Sequence, residues 1–122
     1  MVVTSRPPAG ERRLHVRVRP TADYDVEVLV LDGIVAEKVG VVDIGVGGLG
    51  LLLDTVPKKF VESGRMRLRI TLPGHSTFEV DALVRHVSPR WGVCGVQLDA
   101  DQESATKALR TVVSELLERA SF

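Results

Sequence analysis

Met66-Arg67-Leu68-Arg69-Ile70-Thr71-Leu72 alternates an apolar residue with a basic or polar one at every step. Pro73-Gly74 then turns the chain, and Phe78-Glu79-Val80-Asp81-Ala82-Leu83-Val84 alternates on the way back. A period of two belongs to a strand; a helix repeats its apolar face every three or four residues. Two such runs around a Pro-Gly turn predict a β-hairpin with one face on a core and the other in solvent.

The same pattern extends in both directions. Downstream, Ser88-Pro89-Arg90-Trp91-Gly92 reads as a turn and Val93-Cys94-Gly95-Val96-Gln97-Leu98 as a final strand. Trp91 either covers a barrel end or stays exposed for a partner. Upstream, Val16-Arg17-Val18-Arg19 alternates before Pro20. Asp25 to Leu31 alternates into Asp32-Gly33, a strong hairpin signal, and Ile34-Val35-Ala36 returns. Val39 to Ile44 reads as one run into a glycine-rich turn, which Leu49 to Leu53 leaves. Many short strands at close spacing predict a mainly β fold, a small antiparallel barrel or sandwich.

After Leu98 the period changes. Ala105, Leu109, Val112, Val113, Leu116, Leu117 and Ala120 recur at helical spacing, and Asp99 with Gln102 resembles a capping box. The expected element is a C-terminal amphipathic α-helix whose stripe covers the barrel core in preference to a dimer interface. Residues 1–10, with two prolines and a glycine, read as a flexible lead-in. The expected organisation is a lead-in at 1–10, a barrel domain at 11–100 and a helix at 101–122.

Composition narrows the function. The chain has 122 residues, and 16 basic side chains balance 16 acidic ones, so no global field draws it to nucleic acid or an anionic membrane. Any anion site must be local. The single cysteine excludes an internal disulfide and a cysteine-based zinc cage. With no secretory run at Met1 to Gly10 and no membrane-length stretch, a cytoplasmic protein is expected. His15, His75 and His86 lack metal-ligand spacing, and no serine, histidine and acid set suggests catalysis. Neither a cofactor nor a metal is implied.

Two segments carry chemistry. Arg12-Arg13-Leu14-His15-Val16-Arg17 offers guanidinium forks that fit phosphate oxygens or lie on base faces. Asp43-Ile44-Gly45-Val46-Gly47-Gly48 offers a carboxylate that accepts from a guanine edge, beside glycines that admit a ligand to the backbone. Together they point to a receptor for a guanine nucleotide with more than one phosphate. Singly, the arginines also fit a solvated strand face, Asp43 a turn bonded to its own backbone, and Gly47 and Gly50 plain hairpin geometry. Gly45-Val46-Gly47-Gly48-Leu49-Gly50 matches the dinucleotide fingerprint as well, but no helix follows before Pro57.

At these residues the chain resembles the PilZ domain family, which carries Arg-x-x-x-Arg before its barrel and Asp/Asn-x-Ser-x-x-Gly after an early hairpin. Arg13 and Arg17 match the first motif; Asp43 and Gly48 match the ends of the second. Gly92-Val93-Cys94-Gly95-Val96-Gln97-Leu98 is similar to the family's closing strand, and the likeness covers roughly 11–100. It implies a PilZ-like split β-barrel, not an enzyme, that binds the bacterial second messenger cyclic di-GMP through Arg13, Arg17, Asp43, Gly45 and Gly48, with Arg85 on the same face. Arg12, a third cation, implies an intercalated pair of ligand molecules. The resemblance further implies ligand-induced ordering of the N-terminus, read by an effector protein in motility or biofilm regulation; monomer and homodimer both stay open. One position departs: Gly45 stands where the family has serine. A lost neutral hydrogen bond is worth about 1 kcal/mol, roughly fivefold in affinity. The alternative is therefore a degenerate PilZ-like interaction module, a pilus or motility adaptor that does not bind the nucleotide.

Overall fold

The computed structural model of the chain describes residues 2–5, 15–21, 23–99 and 103–120. Its strands are β1 (Val2–Ser5), β2 (His15–Val18), β3 (Glu27–Asp32), β4 (Val35–Val39), β5 (Val41–Ile44), β6 (Gly48–Leu52), β7 (Arg65–Thr71), β8 (Phe78–Ser88) and β9 (Val93–Leu98). Among the described residues, two α-helices, α1 (Lys58–Ser63) and α2 (Glu103–Ala120), and a short 3₁₀ turn at Leu53–Thr55 complete the fold. The strands pair in one sheet, in the order β1-β2-β5-β6-β9-β8-β7-β3-β4, with every pairing antiparallel.

The connection between β4 and β5 shows that this sheet rolls up. They stand ninth and third in the strand order, yet Gly40 alone separates them. In a flat sheet, six strand spacings would hold them about 29 Å apart. A one-residue link reaches only about 7 Å. Curling the sheet resolves the conflict, and hydrogen bonds pin the corner. Leu52 N donates to Gly40 O at 2.8 Å, and Gly40 N donates to Thr55 Oγ1 at 2.9 Å. The expected mainly β barrel with a C-terminal helix is the observed fold.

Alternation supplies its core. Val28 and Val30 of β3, Leu68 and Ile70 of β7, and Val80 and Ala82 of β8 all face inward and are buried. Ile44, Leu49, Leu51, Cys94 and Val96 fill the other half. Outside, Arg67 faces Asp81 and Arg69 faces Glu79 in register, with Nη1···Oδ1 at 2.8 Å and Nη2···Oε2 at 3.1 Å. The β7–β8 hairpin is thus dry on one face and ion-paired on the other. Cys94 is fully buried, and burial pushes its thiol above the usual range.

Helix α2 closes the barrel. Of the predicted stripe, Ala105, Leu109, Val112, Val113 and Leu116 are buried, with Ala108 beside them, and Leu117 is half-buried. Polar contacts then fix its angle. Buried Tyr24 donates its hydroxyl to Glu115 Oε2 at 2.5 Å. Arg119 lies 5.1 Å from the Tyr24 ring and pairs with Asp23 at 2.9 Å. The proposed cap at Asp99 and Gln102 extends outside the described residues. Among the described residues, no helix is long and apolar enough to cross a membrane.

Two expectations are corrected, and one helix is new. Val2–Ser5, within the lead-in, forms β1 and pairs with β2 from Val2↔Val18 to Ser5↔His15. Its β-branched Val2, Val3 and Thr4 suit a strand, and the nearby prolines concealed that preference. Helix α1 went unpredicted because six residues show little periodicity, although Pro57 before it and Gly64 after it are boundary signals. Val39 to Ile44 is not one run: Gly40 divides it into the ends of two strands.

Two outcomes test this packing. Burial, then the bond to Glu115, pushes the Tyr24 hydroxyl up from 10 to about 12. A raised pKa stabilises the fold fully below about pH 10, the unfolded value, and that stabilisation is lost as pH climbs through about 12. Tyr24→Phe should cost about 1 kcal/mol in urea unfolding at neutral pH and flatten the alkaline loss above pH ~10. Gly48 lies against β9, where an added Cβ would meet Val96 O closer than the 3.0 Å that real Cβ contacts respect. Gly48→Ala should cost roughly 1–3 kcal/mol in the same assay.

Candidate ligand site on the outer face of the barrel

The site begins with one buried pair. Val18 on β2 and Ile44 on β5 are cross-strand partners, and both are buried. A strand reverses face at each residue, so Arg17 and Asp43, one step from these anchors, emerge on the outer face. In an antiparallel register they are diagonal neighbours, within reach of an arginine side chain. Arg17 Nη1 donates to Asp43 Oδ1 at 3.2 Å. The two predicted segments therefore meet, although 26 positions separate these residues in the sequence.

Two further features hold Asp43 in place. A bulge between Val41 and Asp43 inserts Val42 into β5 as an extra residue. It bends the strand and re-aims the side chain that follows. Across the ladder Asp43 pairs with Gly50, and its carboxylate lies over that glycine. A Cβ there would approach Oδ1 closer than 3.0 Å. Gly50 is therefore a seat for the carboxylate and not a turn residue. A glycine between Leu49 and Leu51 in an apolar run was the available signal, since glycine inside a strand often marks close approach.

The side chains of Arg17 and Asp43 are 32% and 22% exposed. A partly exposed, single-contact ion pair adds only about 0–1 kcal/mol to stability. Both ends stay accessible to something else: the guanidinium to phosphate or a base face, the carboxylate to a pair of N–H donors.

Other expected residues fall differently. Arg12 and Arg13 lie outside the described residues. Asp43 is inside β5, and the turn itself runs from Gly45 to Gly48, where Gly45 N donates to Gly48 O at 2.9 Å. Gly45 consequently has no free amide to replace the hydroxyl of a serine. Gly48 matters through its contact with β9, not through a left-handed turn; its φ is not positive. Strand β6 follows at once, which excludes the helix demanded by the dinucleotide fingerprint. Arg85 is three strands from β5, with Nε donating to Gln97 Oε1 at 2.6 Å. It shares the outer face but does not touch the Arg17–Asp43 pair. Trp91 is 74% exposed and lies beside the Arg90 guanidinium.

A cleft of about 620 Å³ opens among Arg65, Arg67, Asp81, Leu83 and Gln97, without reaching Arg17 or Asp43. Arg67 and Asp81 within it already satisfy each other at 2.8 Å. The Arg17–Asp43 pair lies instead on the outer face of β2 and β5, beside Gly50 of β6.

Solved structures with the same fold include the MrkH–c-di-GMP complex of K. pneumonia, at TM-score 0.73 and 17% identity, covering 91% of this chain and 54% of that one. The chain thus spans about half of MrkH. The PilZ domain of YcgR from Escherichia coli, solved with c-di-GMP, matches at TM-score 0.62 and 17% identity, covering 90% of this chain and 95% of that one. The PilZ domain of CeSA from a cellulose-synthesizing bacterium matches at TM-score 0.56 and 21% identity, covering 82% and 96%. No curated protein matches the sequence. The PilZ domain model matches residues 11–115, nearly the whole barrel and most of α2, and the chain belongs to the PilZ domain family.

Proposed function

We propose that this chain is a cyclic di-GMP receptor that signals as a binding module and not as an enzyme. The observation that carries the reading is the Arg17–Asp43 contact on the outer face, with Gly50 beneath the carboxylate. Membership of the PilZ family and the ligand named in the MrkH and YcgR structures support the choice of nucleotide. Asp43 accepts from guanine N1–H and N2–H₂, a pair of donors that adenine lacks. Arg17 leaves Asp43 in part to meet a phosphate or the guanine face, and Arg13 supplies the second fork from the preceding segment. Arg12 accommodates a second, stacked ligand. Binding engages the segment that carries Arg12 and Arg13 while β1 and β2 keep their places in the sheet, and a partner protein in motility or biofilm regulation reads that change.

The degenerate-adaptor reading rests on Gly45, whose amide is engaged with Gly48 and whose position lacks a hydroxyl. The two readings separate by calorimetric titration. Under the receptor reading, the chain binds cyclic di-GMP at micromolar concentrations, cyclic di-AMP binds far more weakly, and Gly45→Ser tightens binding up to about tenfold. Arg17→Ala and Asp43→Ala should each weaken it by about tenfold or more. Gly50→Ala should do so too, by displacing the carboxylate. A chain silent at roughly 100 μM ligand, with binding created by Gly45→Ser, establishes the adaptor instead.

A further inference from the structure

Asp43 begins a row that runs across the outer face. Its ladder partner is Gly50 on β6; the partner of Gly50 is Gly95 on β9; the partner of Gly95 is His86 on β8. All four positions face outward: the buried neighbours Ile44, Leu49, Leu51, Cys94 and Val96 point the other way. Strands lie about 4.8 Å apart, so Asp43 and His86 stand roughly 14 Å from each other across two positions with no side chain. The carboxylate of Asp43 already leans over Gly50. What lies open in front of it is the bare backbone of Gly95, and then the exposed residue His86.

The ends of this row share a second feature. Asp43 follows the bulge between Val41 and Asp43, and His86 follows another, between Val84 and His86. Bulges re-aim side chains, and one interrupts the strand at each polar end of the row. Arg85, within the second bulge, is held by Gln97, and His86 is the cross-strand partner of Gly95. A Cβ built on Gly95 would lie 3.4 Å from the His86 Cβ, so the two share one patch of surface.

We infer that the guanine held by Asp43 lies against the Gly95 backbone and ends on His86, which donates an N–H to the base; this rests on the nucleotide reading above. The chemistry agrees at both ends. A guanine whose N1–H and N2–H₂ meet Asp43 turns its imidazole edge away, and that edge carries the N7 acceptor. Neutral imidazole has one N–H donor in either tautomer. Asp43 reads the base as guanine, and His86 with Gly95 sets how far it extends.

Calorimetric titration of the full chain with cyclic di-GMP tests this, using His86→Ala, His86→Gln and Gly95→Val beside Arg17→Ala. Ordinary spacing at Gly95 and the β preference of valine favour a folded Gly95→Val chain, and equal thermal melting of the ligand-free proteins checks it. His86→Ala should weaken binding about three- to tenfold, with His86→Gln, which keeps an N–H donor, recovering most of the loss. Gly95→Val should weaken it by about tenfold or more by filling the floor. If His86→Ala and Gly95→Val bind like the wild type while Arg17→Ala fails, the base lies elsewhere: this inference falls and the receptor reading stands. A wild-type chain that takes up no ligand overturns both. Should Gly95→Val melt early, His86→Ala against His86→Gln decides alone.

Discussion

Burial of one valine against one isoleucine sets the chemistry of this molecule. Val18 and Ile44 form the register pair that joins β2 to β5, and no water reaches either side chain to any extent. Slipping that pair by one residue would turn Arg17 and Asp43 into the core and leave two unscreened charges in an apolar interior. Hydrophobic register thus protects the outward pairing better than the ion pair does itself. The ion pair is weak and the register is strong, an arrangement that suits a site whose partners must exchange contacts with a ligand.

Much of this was legible from single residues. Alternation at Met66–Leu72 and Phe78–Val84 reports a half-buried sheet directly, because period two has one geometric meaning. The stripe from Ala105 to Leu116 reports the lid in the same way. Arg17 and Asp43 were also legible as a pair, since their residue types match one ligand, but only folding sets them 3.2 Å apart. Hidden were features that depend on a neighbour strand. Gly50 and Gly95 each look like routine strand glycines until register lines them up. Strand β1 depends on β2 for every one of its pairings, and the division at Gly40 depends on a sheet curling through its full width. Local pattern reveals an element; it does not reveal what lies across from it.

Glycine serves two separate ends on the outer face. At Gly48 it admits the backbone of β9, a matter of packing, and at Gly50 it admits a carboxylate, a matter of chemistry. Both lie in the same five-residue strand, and only the strand across from each one separates the two uses. Loss of serine at Gly45 falls between these cases: the turn keeps its backbone bond, so the change acts on ligand contacts and leaves the hairpin closed.

The concealment of Cys94 has a practical side. It is the one sulfur of its kind in the sequence, and it sits fully inside the barrel with ionisation disfavoured. Thiolate is the form that reacts, so maleimide dyes and spin labels find little to attack in the native protein. A single exposed replacement, such as Thr111→Cys on the outer side of α2, would therefore give a uniquely addressable reporter without first removing the native residue.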